Sequence, residues 1–212
     1  MLDLKEIQDY AEAHSSPENE LLKKISRETH LYVMHPRMLS GHLQGLLLSM
    51  LSGMLAPDRI LEIGTYTGYS AICLAQGLKP GGELITIEHD AELEERATGY
   101  FAEAGLASTI RMMIGDGKTL VPGLEGFFDL VFIDADKKDY PVLYQLVMEK
   151  IRPGGYILAD NVLWGGKIFG DVAAADRDTR GIKEFNRMVT NDERAENLLL
   201  PFHDGLMLIR RK

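Results

Sequence analysis

From Arg59 onward the chain falls into short apolar runs that each stop at polar or glycine-rich residues. They are "RILEIG" at 59–64, "ELITIEHD" at 83–90, "IRMMIGD" at 110–116, "FDLVFIDA" at 128–135 and "GYILADN" at 155–161. Most are separated by stretches long enough for a helix. "YSAICLAQGL" stops at a glycine-containing end before "KPGG", "AELEERATGYFAEAG" at Gly105, and "DYPVLYQLVMEKIRPGG" at Pro153 and two glycines. This rhythm predicts parallel strands joined by right-handed crossovers. The tail departs from it: "ENLLLPF" and "GLMLIRR" are separated only by "HDG", a hairpin signal that predicts an antiparallel pair at one edge. The expected fold is α/β, with a mixed seven-stranded sheet, an edge hairpin and helices on both faces.

Residues 1–55 carry helical patterns and no clear strand. In "SSPENELLKKI", Ser16 is expected to cap a helix with Pro17 at its first position and acids in its first turn. With no internal repeat or linker in view, one domain spanning 1–212 is expected, 1–55 forming a helical cap on an α/β core at 56–212. A mobile loop is expected at 165–180, "GGKIFGDVAAADRDTR".

Composition narrows the partners. The 212 residues are 45% hydrophobic and 26% charged, as in ordinary globular domains, and no apolar run approaches the roughly 20 residues of a membrane span. The acidic start "MLDLKEIQDYAEAH" lacks the features of a secretion signal, so a cytoplasmic protein is expected. A formal net charge of −9 and a pI near 5.2 disfavour nucleic acid without excluding it, and the closing "RRK" reads as a solvated strand end. The single cysteine, Cys73, suits a reducing compartment and core packing. His30, His35 and His42 show no metal spacing, and His203 belongs to the terminal turn.

Ligands of open α/β sheets bind beyond the carboxyl ends of the strands. After the first strand, "LEIGTYTGYS" has Gly64 and Gly68 for a tight turn and Ser70 at the next helix start. Tyr66 stands where a dinucleotide fingerprint has its second glycine, and Glu62 adds negative charge, so a cationic ligand fits better than a pyrophosphate. Glu88 ends the second strand at the distance from the glycine loop suited to ribose hydroxyls; Asp90 competes as a helix cap. Asp116 ends the third strand, either against an adenine amine or as a cap. A ribose hook, an adenine edge and a cation-tolerant loop together describe S-adenosylmethionine.

The fourth and fifth runs end in "FIDADKKDY" and "YILADNVLWGG". On neighbouring parallel strands about 4.8 Å apart, Asp134, Asp160 and Asn161 converge as hard oxygen donors suited to Mg²⁺ first, with Ca²⁺ or Mn²⁺ as alternatives. The competing reading has both aspartates as caps. Lys137 is placed to reach the same point, where a divalent cation depresses its pKa toward that of a general base. Lys138 reads as a solvated neighbour, and Asp136 as either a further ligand or a hydrogen-bond acceptor behind the ligands.

These three motifs resemble the cation-dependent O-methyltransferases that use S-adenosylmethionine, the group of catechol and caffeoyl-CoA O-methyltransferases, over most of the chain from "MLSGHLQG" at 38–45 to "HDGLMLIRR". The resemblance implies a Rossmann-like methyltransferase fold, metal binding by Asp134, Asp160 and Asn161, and Lys137 as the base. It places Glu62, Gly64, Ser70 and Glu88 on cofactor positions, with Tyr66 in the same loop and Asp134 also counted among the cofactor-binding residues. Asp116 falls in the adenine segment, Ser40 in the segment reaching the methionine end, and Trp164 on an aromatic wall beside the acceptor. Leu46 stands where relatives commonly have Gln, and no acid matches the one that grips a second acceptor hydroxyl in the animal enzyme. The implied acceptor is a catechol-like phenol, hydroxylated uridine in tRNA being the alternative within the family, and the implied assembly is a homodimer. A nicotinamide oxidoreductase or a non-catalytic binding module are the readings outside it.

Overall fold

β4 (Phe128–Ile133) is buried along its whole length, and its side chains alternate between two cores. Val131 and Ile133 join Leu61, Ile63, Ile85 and Ile87 on one face of the sheet, while Leu130 and Phe132 join Ile60, Leu84 and Leu158 on the other. Each such side chain contributes roughly 1.5–3 kcal/mol on burial, so strands covered on both faces read as continuous apolar runs. The computed structural model describes residues 4–173 and 175–212. Its seven strands order as β3-β2-β1-β4-β5-β7-β6, with β1 at Arg59–Ile63, β2 at Glu83–Glu88, β3 at Ile110–Ile114, β5 at Ile151–Ala159, β6 at Ala195–Leu200 and β7 at Leu206–Arg211. β1 to β5 pair in parallel, and β7 runs antiparallel to both β5 and β6. The mixed sheet and edge hairpin are as expected.

Three helices precede the sheet: α1 (Leu4–Ala13), α2 (Glu20–Tyr32) and α3 (His42–Leu55). α2 begins later than "SSPEN" predicts. Asn19, not Ser16, is the cap, its side chain accepting from the Leu22 N–H at 2.8 Å, while Ser15 is drawn back onto the Ala11 carbonyl. The stretch Pro36–Leu55 is apolar enough to suggest a membrane span. It is divided, however, by Gly41 at φ 78, and its α-helical part has 14 residues, a rise of about 21 Å against a hydrocarbon core of about 30 Å.

The remaining helices are α4 (Tyr69–Ala75), α5 (Glu94–Glu103), α6 (Gly117–Leu120), α7 (Tyr140–Met148) and α8 (Arg177–Thr190). α7 ends before Pro153, because Pro153 and its glycines belong to β5. The register jumps there from Phe128↔Ile151 to Leu130↔Tyr156, leaving Arg152, Pro153 and Gly154 exposed; proline lacks the N–H to stay in the ladder. The expected loop at 165–180 is shorter than its composition suggests. Trp164–Phe169 form 3₁₀ turns and α8 starts at Arg177 behind its Asp176 cap; Ala174 lies outside the described residues. The final "RRK" is not merely solvated, since the Arg211 guanidinium donates to the Met148 and Ile151 carbonyls. Cys73 is 1% exposed in the core beside α3, where burial pushes its thiol pKa up.

Candidate active site

The ends of β1 and β4 meet so closely that only glycine fits between them. Gly64 has φ 106, and a Cβ there would lie 2.0 Å from the Asp134 carbonyl oxygen; the Asp134 N–H donates to the Ile63 carbonyl at 2.9 Å. The glycine loop thus packs directly on the aspartate of the neighbouring crevice. Tyr66, at φ 49, donates its N–H to Glu88 Oε2 at 2.7 Å and its hydroxyl to the Met34 carbonyl at 3.0 Å. It therefore ties the residues before α3 to the end of β2. Glu88 accepts the Asp90 N–H through its other oxygen at 3.0 Å, which sets the carboxylate at the crevice mouth.

Glu62 differs from its expected electrostatic role. It is fully buried, and burial pushes its pKa up to about 8 despite hydrogen bonding from Ser70 and Thr86. Thr86 donates to Oε2 at 2.5 Å, while Oε1 has no partner. Burial therefore favours the uncharged acid near neutral pH, which weakens the negative charge expected to attract a cation. Ser70, 6% exposed, is the second residue of α4. Asp116 caps α6 by accepting the Lys118 N–H at 2.8 Å, the capping alternative, and keeps an exposed side chain. Asp90 likewise caps the turn at Ala91–Leu93. Ser40 lies half-buried between a 3₁₀ turn and α3.

In the second crevice, Ile133 pairs with Ala159, so Asp134 and Asp160 leave adjacent strands at the same level. Asp160 is 4% exposed; burial and the Asp134 charge push its pKa up to about 7. Asn161 sits at φ 56, a conformation that asparagine accepts more readily than most residues, and its N–H donates to Asp160 Oδ1 at 2.8 Å. Lys137 donates to Asp134 Oδ1 at 2.8 Å and to the Tyr140 hydroxyl at 2.7 Å. Burial opposes its charge, but Asp134 and Tyr140 outweigh that and hold its pKa above the ordinary lysine range. The chain's own groups thus favour the ammonium form of Lys137; the depressed pKa expected of it is one that a cation beside it would supply.

Trp164, at φ 48, stands over this group with its ring centroid 6.0 Å from Lys137 Nζ and 5.5 Å from Lys167 Nζ. Asp136 points elsewhere, exposed and paired with Lys138 at 2.7 Å; this also gives Lys138 a partner that its solvated reading lacked. His30 bonds the Ser26 carbonyl, and His35 and His203 occupy positive-φ turn positions. Among the described residues, no three His, Cys, Asp or Glu side chains form a metal cluster; what the two strand ends bring to one level is Asp134 and the Asp160–Asn161 pair. Two participants escape sequence reading. Tyr140 is fully buried, with its hydroxyl between Lys137 and the carbonyls of Ile133 and Asp160. Gln44 donates to Asp160 from α3. The helical signal around Tyr140 accounts for it as packing, and nothing local marks Gln44.

A sheet in which antiparallel β7 enters between β5 and β6, with a glycine loop after β1 and an acid closing β2, defines a Rossmann-like methyltransferase. The chain belongs to the O-methyltransferase family, whose pattern it matches over residues 12–212. It is 34% identical over 174 residues to a catechol O-methyltransferase of Niastella koreensis, covering 78% of each chain. It is 29% identical over 206 residues to a caffeoyl-CoA O-methyltransferase of Stellaria longipes, covering 92% of this chain and 84% of that one. Among solved structures, the O-methyltransferase TomG of Streptomyces achromogenes, involved in tomaymycin synthesis and solved with S-adenosylmethionine, superposes with a TM-score of 0.90 at 30% identity over the full length of both chains. The protein is an S-adenosylmethionine-dependent O-methyltransferase.

Proposed function

We propose that this enzyme methylates one hydroxyl of a catechol-like, ortho-dihydroxy phenol in the crevice bounded by Asp134, Lys137, Asp160, Asn161 and Trp164, with a divalent cation, Mg²⁺ first and Ca²⁺ or Mn²⁺ as alternatives. The observation that carries this reading is that Asp134 and the Asp160–Asn161 pair leave adjacent strand ends at the same level beside a buried lysine that is paired with Asp134. The catechol and caffeoyl-CoA activities named for relatives support the acceptor class.

The donor set fits a hard cation: carboxylate and amide oxygens suit Mg²⁺, Ca²⁺ or Mn²⁺, and a positive charge beside Asp160 would offset the burial and the Asp134 charge that raise its pKa. Asp134, Asp160 and Asn161 would hold it. When bound, it supplies positive charge that favours a phenolate over a phenol and that relieves Lys137 of the Asp134 field. Lys137 Nζ, once it has released its own proton to solvent, would take the proton of the reacting hydroxyl, with the Tyr140 hydroxyl fixing the amine's position. Trp164 walls the acceptor ring and helps exclude water. On the donor side Glu88 binds the ribose, Asp116 meets the adenine edge, and Gly64, Tyr66, Ser70, Ser40 and Asp134 surround the methionine end, Glu62 supporting them from beneath as a neutral acid. Transfer is then mainly a matter of aligning oxygen and sulfonium methyl.

The test is methyl transfer from labelled S-adenosylmethionine to catechol, a caffeoyl acceptor and hydroxyuridine-bearing tRNA, with and without a chelator. Transfer to catechol or the caffeoyl acceptor that the chelator abolishes and Mg²⁺ restores is expected. Undiminished activity in chelator would sink the cation, and transfer to tRNA alone would replace the acceptor.

The reading extends to a homodimer. Met50 and Met54 on α3 are 60% and 81% exposed, and Tyr10 on α1 and Tyr32 on α2 are 67% and 70% exposed; apolar surface of this kind on three consecutive helices suits a second copy. Light scattering is expected to give twice the 23.7 kDa chain mass, and a monomer at micromolar concentration would refute it.

A further inference from the structure

Gln44 lies on α3, ahead of the sheet, yet its side chain reaches the end of β5. Its Nε2 donates to Asp160 Oδ2 at 2.6 Å across 116 positions of sequence, and each residue is 4% exposed. A carboxylate only accepts, so the amide nitrogen faces it. Asp160 Oδ1 is held by the Asn161 N–H at 2.8 Å. The Asp160 backbone is also held: its N–H donates to the Ile133 carbonyl at 3.0 Å and its carbonyl accepts the Tyr140 hydroxyl at 2.9 Å. Every polar handle of this aspartate is engaged, and Gln44 is the handle that comes from outside the α/β core.

The position of α3 makes that contact a fixed one. Next to Gln44, Gly45 packs on α4 so tightly that a Cβ would lie 2.6 Å from Tyr69 Cε1 and 2.9 Å from Cys73 Sγ. Tyr69 is itself tied to Glu18, just ahead of α2, through its hydroxyl. α3 therefore sits at a set distance from the core and aims one amide at one carboxylate oxygen. A primary amide buried this deeply is costly unless paired, and its partner is a carboxylate that burial alone would drive to the neutral form.

We propose that Gln44 is a positioning residue that orients the Asp160 carboxylate, so that Asp134, Asp160 and Asn161 present a preassembled site to the divalent cation. The inference rests on the cation reading above and adds to it that the helical segment before the sheet helps build the site. Groups that orient metal-ligating carboxylates typically change affinity by 10–100-fold when lost.

The experiment is Mn²⁺ binding, followed by electron paramagnetic resonance of the free ion, to protein lacking cofactor and acceptor. Gln44→Met keeps the length and removes the donor. The expected result is an Mn²⁺ Kd raised at least tenfold, with the Kd for S-adenosylmethionine, measured by calorimetry, within about twofold of the parent. A lowered melting temperature with unchanged Mn²⁺ affinity would show that Gln44 only packs and would overturn the proposal. If Gln44→Met does not fold, Gln44→Asn, which retracts the amide by one methylene, is measured against the same two outcomes. Failure of the parent protein to bind Mn²⁺, or binding that survives Asp134→Asn with Asp160→Asn, would remove the cation reading and this proposal with it; loss confined to the Gln44 variants leaves that reading intact.

Discussion

Lys137→Met is expected to lower kcat by about 10²–10⁴-fold, the range for loss of a positioned general base, while the Kd for S-adenosylmethionine changes by less than about threefold. The side chain has no other evident task that would spread the effect. Its Nζ touches Asp134 and Tyr140, and the nearest described elements of the donor crevice are held by Gly64, Tyr66 and Glu88 through backbone bonds that do not involve it. The fold is expected to survive, because the Tyr140 hydroxyl keeps the carbonyls of Ile133 and Asp160 as acceptors and the Asp134 side chain, 20% exposed, retains access to water. Lys137→Arg separates charge from proton transfer: it preserves a cation beside Asp134 but cannot act as a base near neutral pH. Single-turnover methyl transfer is the measurement. Arg variants with parental rates would reduce Lys137 to an electrostatic partner, and Met variants with parental rates would remove it from the chemistry.

Glu62→Gln is expected to become more stable relative to the parent as the pH rises from 5 to 8. The parent carboxyl has its pKa raised from 4.5 to about 8 by burial, so across that window the folded state holds a proton that the unfolded state has released. Stability then falls with rising pH, by about 1.4 kcal/mol per unit for one such group, until the folded carboxyl ionises near pH 8. Glutamine keeps a donor and an acceptor for Thr86 and Ser70 but does not titrate, and the variant escapes this loss. The difference reaches an order of 4 kcal/mol, or roughly 8–16 °C in Tm for a chain of this size. Thermal unfolding of both proteins at pH 5, 6.5 and 8 gives the comparison. Parallel pH profiles would show that Glu62 is not held neutral in the folded protein.

Why Glu62 defeats a charge argument made from sequence is instructive. "LEIG" shows an acid inside a ligand-binding motif, and an acid in a loop after a strand is ordinarily ionised. Here it is the penultimate residue of a strand paired on both sides, with Thr86 and Phe132 as its register neighbours, and desolvation decides its protonation. The Pro153 error has a similar origin. Pro-Gly-Gly is locally a helix stop, but whether the chain has already joined a strand depends on β4 offering Phe128 to Ile151. Asn19 displaced Ser16 as the cap because the stretch 16–19 offers two residues of suitable type, and it is Asn19 whose side chain meets the Leu22 N–H.

The pattern of apolar runs, by itself, determined the number and direction of the strands and put an acid at the end of β2, β4 and β5, because a strand covered on both faces must be apolar until it leaves the sheet. It also set Gly64 at the one point where the β1 turn meets the Asp134 backbone. Only the tertiary structure decided that Gln44 reaches Asp160, that Tyr140 bridges Lys137 to the carbonyls of two strands, and that burial raises the Glu62 pKa while Asp134 and Tyr140 raise that of Lys137. Those outcomes depend on distances between groups remote in sequence and on how much water reaches them, and neither quantity is written in the local order of residues.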